Sequence, residues 1–296
     1  MTKSYDPALV EVAVVGPAQA AEGPVWDHLQ GELLWVDIPA GLIHRWRPGS
    51  TAVSTTAVGQ PVGAVALRRT GGLVAAVRDG FALVDEDSGK VELRCPVEID
   101  RAENRMNDGK CDSAGRFWAG TMAEDMSPGV GGLYRLDADM TVTSVLTGVS
   151  VSNGIAWSTD DRTMYYVDSL ERAVDVFDFD VELGQLKNRR RLVAIEVEAG
   201  MPDGIAIDSA GNLWVALYGG AAVRRYSPAG DLDAVVPLPA DRITSCTLGG
   251  PEMRDLYVTS ATRGSSADEW RLQPHAGAIF CIRVDVPGAP AARFGG

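Results

Sequence analysis

Glu22, Asn107, Asn153 and Asp203 are the residues whose types and spacing suit chemistry. Each stands 11 to 13 residues ahead of a large aromatic residue, Trp35, Trp118, Tyr165 or Trp214, and each opens a turn-like string, EGP, NDG, NGI or DGI. Two further positions at the same spacing carry Val62–Gly63 and Thr244–Ser245. Carboxylate and amide oxygens brought to one place are the donors that calcium, magnesium or manganese prefer, and zinc is also served through carboxylates. Asn or Asp ahead of glycine is an ordinary turn former, so each string alone reads as a turn. Four of them at one repeat position point instead to a joint metal site. A glycine directly after the polar residue marks unusual dihedrals or a close approach, which aims the side chain before it.

Other chemistries find no support. His28, His44 and His275 are not paired at ligand spacing, and read as surface or satisfied core residues. There is no G-x-S-x-G elbow and no glycine-rich phosphate loop; Asp85–Glu86–Asp87 lacks the glycine of an EF-hand loop and reads as a solvated turn. With 40 acidic against 27 basic residues the net charge is −13, which repels phosphate backbones and anionic lipid heads, so neither nucleic acid nor a membrane is an expected partner. Val12 to Val15 is too short an apolar run for a signal-peptide core, and no stretch suits a spanning helix. Cys95, Cys111, Cys246 and Cys281 stand far apart without a C-x-x-C, the pattern of reduced thiols in a cytoplasmic protein. Oligomeric state is left open.

The elements that must position the four polar residues come from a repeat. Strand signals recur at LLWVD, GLVAAV, RFWAGT, TMYYVD, NLWVAL and DLYVTS, with spacings of 39, 44, 47, 49 and 43 residues between markers. Each follows another apolar strand and a turn, and most are trailed by a further alternating run such as IHRWRP or VDVFDFD. Six units of about 49 residues fill the 296-residue chain, of which 46% is apolar. One antiparallel four-stranded sheet cannot cover both its faces, whereas six arranged radially cover one another. The expected fold is therefore all-β: a single six-bladed β-propeller domain over residues 1–296, with Val10 to Val15 completing the last blade as its outer strand. The first strand of each blade then lines the channel, and the six positions named above share one mouth.

In EGPVWD, LLWVDIPAGLIHRW, NRMNDGKCDSAGRFWAGTM, SNGIAWS, PDGIAIDSAGNLWVAL and TSCTLGG the chain resembles the regucalcin/gluconolactonase family of metal-dependent sugar lactonases, across nearly its full length. The resemblance implies a six-bladed propeller with one divalent cation held by Glu22, Asn153 and Asp203. It places sugar contacts on Arg105, Asn107 and Asp125, the last where relatives carry Glu. Asp108 and Lys110 are expected to be structural, closing a loop around Asn107. The segment Arg263 to Gly277 is expected to join two strands of the last blade on the mouth face, where it could roof the site.

The implied reaction is hydrolysis of a sugar lactone, such as a glucono- or pentonolactone, to the sugar acid. One cation would polarise the carbonyl and acidify a water, and Asp203 would serve as ligand and general base. Two rivals use the same scaffold: an organophosphate-type esterase, and a non-catalytic calcium-binding or protein-binding propeller.

Overall fold

A computed structural model describes residues 2–16, 18–262 and 271–296. Six antiparallel sheets each run outward in chain order from an inner strand. The inner strands are Ala21–Asp27, Val62–Leu67, Asn104–Cys111, Ser152–Trp157, Met201–Ile207 and Ile243–Gly249, for blades 1 to 6. Glu11–Val14 pairs antiparallel with Ile279–Arg283 and forms the outer strand of blade 6, so the ring closes as expected. Lys3–Ser4 then adds a strand the sequence did not suggest, parallel to Leu232–Pro237 on the rim of blade 5. Among the described residues helix is limited to three short 3-10 turns and the α-helical pair Arg271 and Leu272, and no helix is long and apolar enough to cross a membrane.

The packing explains the ring. Six buried apolar clusters lie one between each pair of adjacent blades, so each sheet face is covered by its neighbour. The aromatic markers sit in them: Trp118 with Ile155 and Tyr166 between blades 3 and 4, Trp214 between 5 and 6, Trp35 and Tyr257 between 6 and 1. His44 stacks on Trp35 with ring centroids 5.2 Å apart, a packing role. Cys95, Cys111, Cys246 and Cys281 are free thiols.

Every inner strand breaks register with its neighbour near its upstream end. The shifts fall between Glu22 and Val25, Val62 and Ala64, Met106 and Gly109, Ser152 and Ile155, Pro202 and Ile205, and Ile243 and Ser245. A bulge locally re-aims a side chain, and this one recurs sixfold at the positions that carry Glu22, Asn107, Asn153 and Asp203. Glycine is needed there because the inner strands crowd at the axis. A Cβ on Gly154 would come within 2.6 Å of the Asp203 carbonyl oxygen, and one on Gly204 would collide with Ser245.

Candidate active site

The bulges bring Glu22, Asn107, Asn153 and Asp203 from four blades to one mouth, where they line a cavity of about 370 Å³ with Arg105, Glu124 and Asp125. Glu22, Arg105, Asn107, Asn153 and Asp203 are each no more than 7% exposed. The Glu22 and Asp203 carboxyls are close enough to interact directly. Burial, reinforced by the nearby Asp108 charge, pushes Glu22 up to about 8; burial and then the Glu22 charge hold Asp203 well above the usual carboxylate range. Asp203 Oδ1 is buried with no hydrogen-bond partner.

Asn153 is fixed from both ends. Its Nδ2 donates to Ser169 Oγ at 2.8 Å, and its Oδ1 accepts from Asn107 Nδ2 at 2.9 Å. Asn107 Oδ1 in turn accepts from Arg105 Nη1 at 2.6 Å, and Ser169 Oγ donates to the Pro202 carbonyl at 2.6 Å. One chain of hydrogen bonds therefore links Arg105 through Asn107, Asn153 and Ser169 to the residue before Asp203. Such a network holds each member in one orientation. Glu124 lies beside Arg105, with 3.6 Å between Oε1 and Nε, and pairs with Arg78 at 2.7 Å.

The donor set suits a divalent cation. Two carboxylates forced together out of water, one with an orphaned oxygen, lack the positive charge that would make their ionised pair favourable. An amide oxygen on the same wall completes a hard-oxygen set of the kind calcium and magnesium take. Among the described residues no cluster of three or more His, Cys, Asp and Glu offers an alternative centre, and the group at the mouth escapes that pattern because its third member is Asn153.

One expectation needs correction. Asp108 and Lys110 do not close a loop around Asn107: both lie in the inner strand of blade 3 and line the channel below the mouth. Lys110 Nζ reaches across to blade 5, donating to the Ile205 carbonyl at 2.6 Å, and Asp108 adds to the field on Glu22 and Asp203. Asp125 lines the cavity at its exposed rim, apart from the buried group, and its carboxylate accepts from Ser127 Oγ and Ser127 N at 2.8 and 2.9 Å. Glu124 and Ser169 are participants that sequence reading missed; Glu124 neighbours the residue that was chosen, and Ser169 follows the VD that ends a strand marker. Most of the Arg263 to Gly277 segment, residues 263–270, lies outside the described residues.

Comparison with known proteins agrees with this fold. The sequence model described as the SMP-30/Gluconolactonase/LRE-like region matches residues 20–262. The chain is 42% identical to regucalcin of Oryctolagus cuniculus over 294 residues, covering 97% of this chain and 98% of the relative. Among solved structures, a calcium-binding protein, regucalcin, from Agrobacterium tumefaciens superposes with a TM-score of 0.95 at 27% identity, covering 99% of each chain. A luciferin-regenerating enzyme superposes with a TM-score of 0.91 at 31% identity, over 97% of this chain and 99% of the other. The match over residues 20–262 and the near-complete alignment with these relatives lead to one conclusion: the chain belongs to the SMP-30/gluconolactonase/LRE-like family.

Proposed function

We propose that this protein is a divalent-cation-dependent lactonase that opens a sugar lactone to its sugar acid, with Glu22, Asn153 and Asp203 as the cation's ligands. The reading is carried by one observation: two buried carboxyls and an amide converge on the cavity, and Asp203 Oδ1 has no partner. A cation bound there, whether calcium, magnesium, manganese or zinc, would supply Lewis-acid polarisation of the lactone carbonyl. Arg105, Asn107 and Asp125 hold hydroxyls of the ring and set its orientation. Asp203 accepts a proton from the water whose oxygen bonds to the carbonyl carbon. The ring C–O bond then breaks, the released ring oxygen takes up a proton, and the hydroxy acid leaves.

Burial of the site keeps competing water away from these dipoles, which strengthens them. Free thiols in a chain of this size accord with a reducing compartment such as the cytoplasm. A second reading, a cation-binding protein without catalysis, draws on the calcium-binding description of the Agrobacterium relative. The polar wall of Arg105 and Asn107 favours the lactonase over it and over an organophosphate esterase.

The test is acid release from aldonolactones that differ in ring size and one stereocentre, by protein stripped with a chelator and then reloaded with each cation. Stripping should abolish hydrolysis while the far-ultraviolet β-sheet spectrum persists, and reloading should restore activity. Hydrolysis by fully stripped protein would refute the cation-dependent reading; tight cation binding with no hydrolysis of any lactone would favour the non-catalytic one.

A further inference from the structure

The cavity is two-sided. Blade 3 supplies its charged wall, Arg105, Asn107, Glu124 and Asp125. Among the described residues, the upper wall on blades 1, 4, 5 and 6 is formed by Ile38, Leu170, Met201, Tyr218 and Ala261, none of them charged. Leu170 is 37% exposed at the rim although it borders the cavity, and Met126, across the opening, is 47% exposed. A fully hydroxylated lactone seated against blade 3 would turn hydroxyls toward this wall and exchange water for carbon, which is unfavourable. An apolar substituent on that side would bury itself and the wall together. The thioether of Met201 suits such a group because it adapts to irregular shapes. At about 370 Å³ the cavity also falls within the roughly 300–1,000 Å³ of pockets that enclose drug-sized ligands.

We infer that the preferred substrate is an amphipathic lactone, with a polar edge held by blade 3 and an apolar substituent lying along Ile38, Leu170, Met201 and Tyr218. This deepens the lactonase reading and rests on it. The chemistry is unchanged: the bond broken is the ring C–O bond, and the substituent is a spectator that contributes binding.

The experiment compares kcat/KM of the cation-loaded enzyme for δ-gluconolactone, γ-butyrolactone, γ-hexalactone, γ-octalactone and γ-decalactone. The inference expects kcat/KM to rise about two- to fourfold per added methylene as the chain covers the wall. Leu170→Asp should reduce the ratio of γ-octalactone to γ-butyrolactone about fivefold or more, and Leu170→Ala about threefold, the second guarding against a folding defect in the first. A flat or falling dependence on chain length, with δ-gluconolactone still hydrolysed, overturns the inference and leaves the sugar lactonase standing. Failure to hydrolyse any of the five overturns both.

Discussion

The two ends of the channel are built from the same six strands and hold cavities of similar size, about 370 Å³ at the mouth and about 330 Å³ at the opposite end. Buried aspartates occur at both, yet their circumstances differ. At the far end Asp208 is 0% exposed and accepts from Ala210 N, Asn212 N, Asn212 Nδ2 and Trp214 Nε1. Asp112 does the same at the equivalent position two blades away, accepting from Arg116 and Trp118 Nε1. Residues 287–295 then run across that end: Arg293 pairs with Asp27, Phe294 N donates to Leu67 O and Gly295 N to Gly115 O. At the mouth Asp203 has an orphaned oxygen and Glu22 is its buried acidic neighbour. Residue type does not distinguish a structural carboxylate from a functional one; satisfaction does. A saturated carboxylate stabilises the fold, and an unsaturated pair stores unfavourable charge that a ligand relieves.

Exchanging the two carboxylates' fates is the strongest way to break this comparison. Asp208→Ala strands the Trp214 indole N–H and two backbone donors, so it should cost on the order of 3–5 kcal/mol in chemical denaturation. Its cation affinity should stay near wild type. A loss under about 1 kcal/mol would show that the far-end network is not structural.

Glu22→Gln should do the reverse. Glu22 is raised to about 8 from an ordinary value of 4.5, so in the cation-free protein its contribution is fully present below about pH 4.5 and is lost as pH rises through 8. The cation-free wild type should therefore weaken across that window and the cation-loaded protein much less. Removing the charge should make the cation-free variant more stable than wild type above pH 8, on the order of 2–4 kcal/mol, while cation binding falls. Thermal melts at several pH values, with and without cation, decide it; a cation-free variant no more stable than wild type at pH 9 contradicts the account of the mouth.

Arg105→Ala sharpens the distinction between the mouth's two walls. Losing charge-assisted hydrogen bonds to substrate should lower kcat/KM about 10- to 100-fold, with cation affinity little changed. Calorimetric titration of the cation beside lactone kinetics tests this, and loss of the cation would move Arg105 from the substrate wall into the cation site.

Much of this was legible in the sequence because both fold and site repeat. The strand markers recur at near-constant spacing, and counting back from them reached the bulged positions without any knowledge of the bulge. What escaped depends on contacts that no periodicity encodes. Lys3–Ser4 is too short to carry a strand pattern and is held by pairing with Ala234 and Val235. Glu124 and Asp125 follow the end of a strand, where a one-residue change in direction decides which carboxylate turns inward beside Arg105 and which turns to Ser127. Asp108 and Lys110 read as turn residues from NDG, but the bulge lets the strand continue, and both face the channel. Phe294 is fully buried between blades 2 and 3, a long-range contact that its local sequence, ARFGG, does not announce.

The most direct test of the central claim is kcat of Asp203→Asn measured at saturating cation. The substitution keeps an oxygen donor of nearly the same shape and removes charge and basicity, so weakened cation binding can be overcome by excess cation while a missing proton acceptor cannot. The account predicts that kcat stays on the order of 10²–10⁴ below wild type after occupancy is complete, whereas Asn153→Ala, which removes a ligand that cannot act as a base, recovers most of its activity. Full recovery of Asp203→Asn by excess cation would contradict the role of Asp203 as general base.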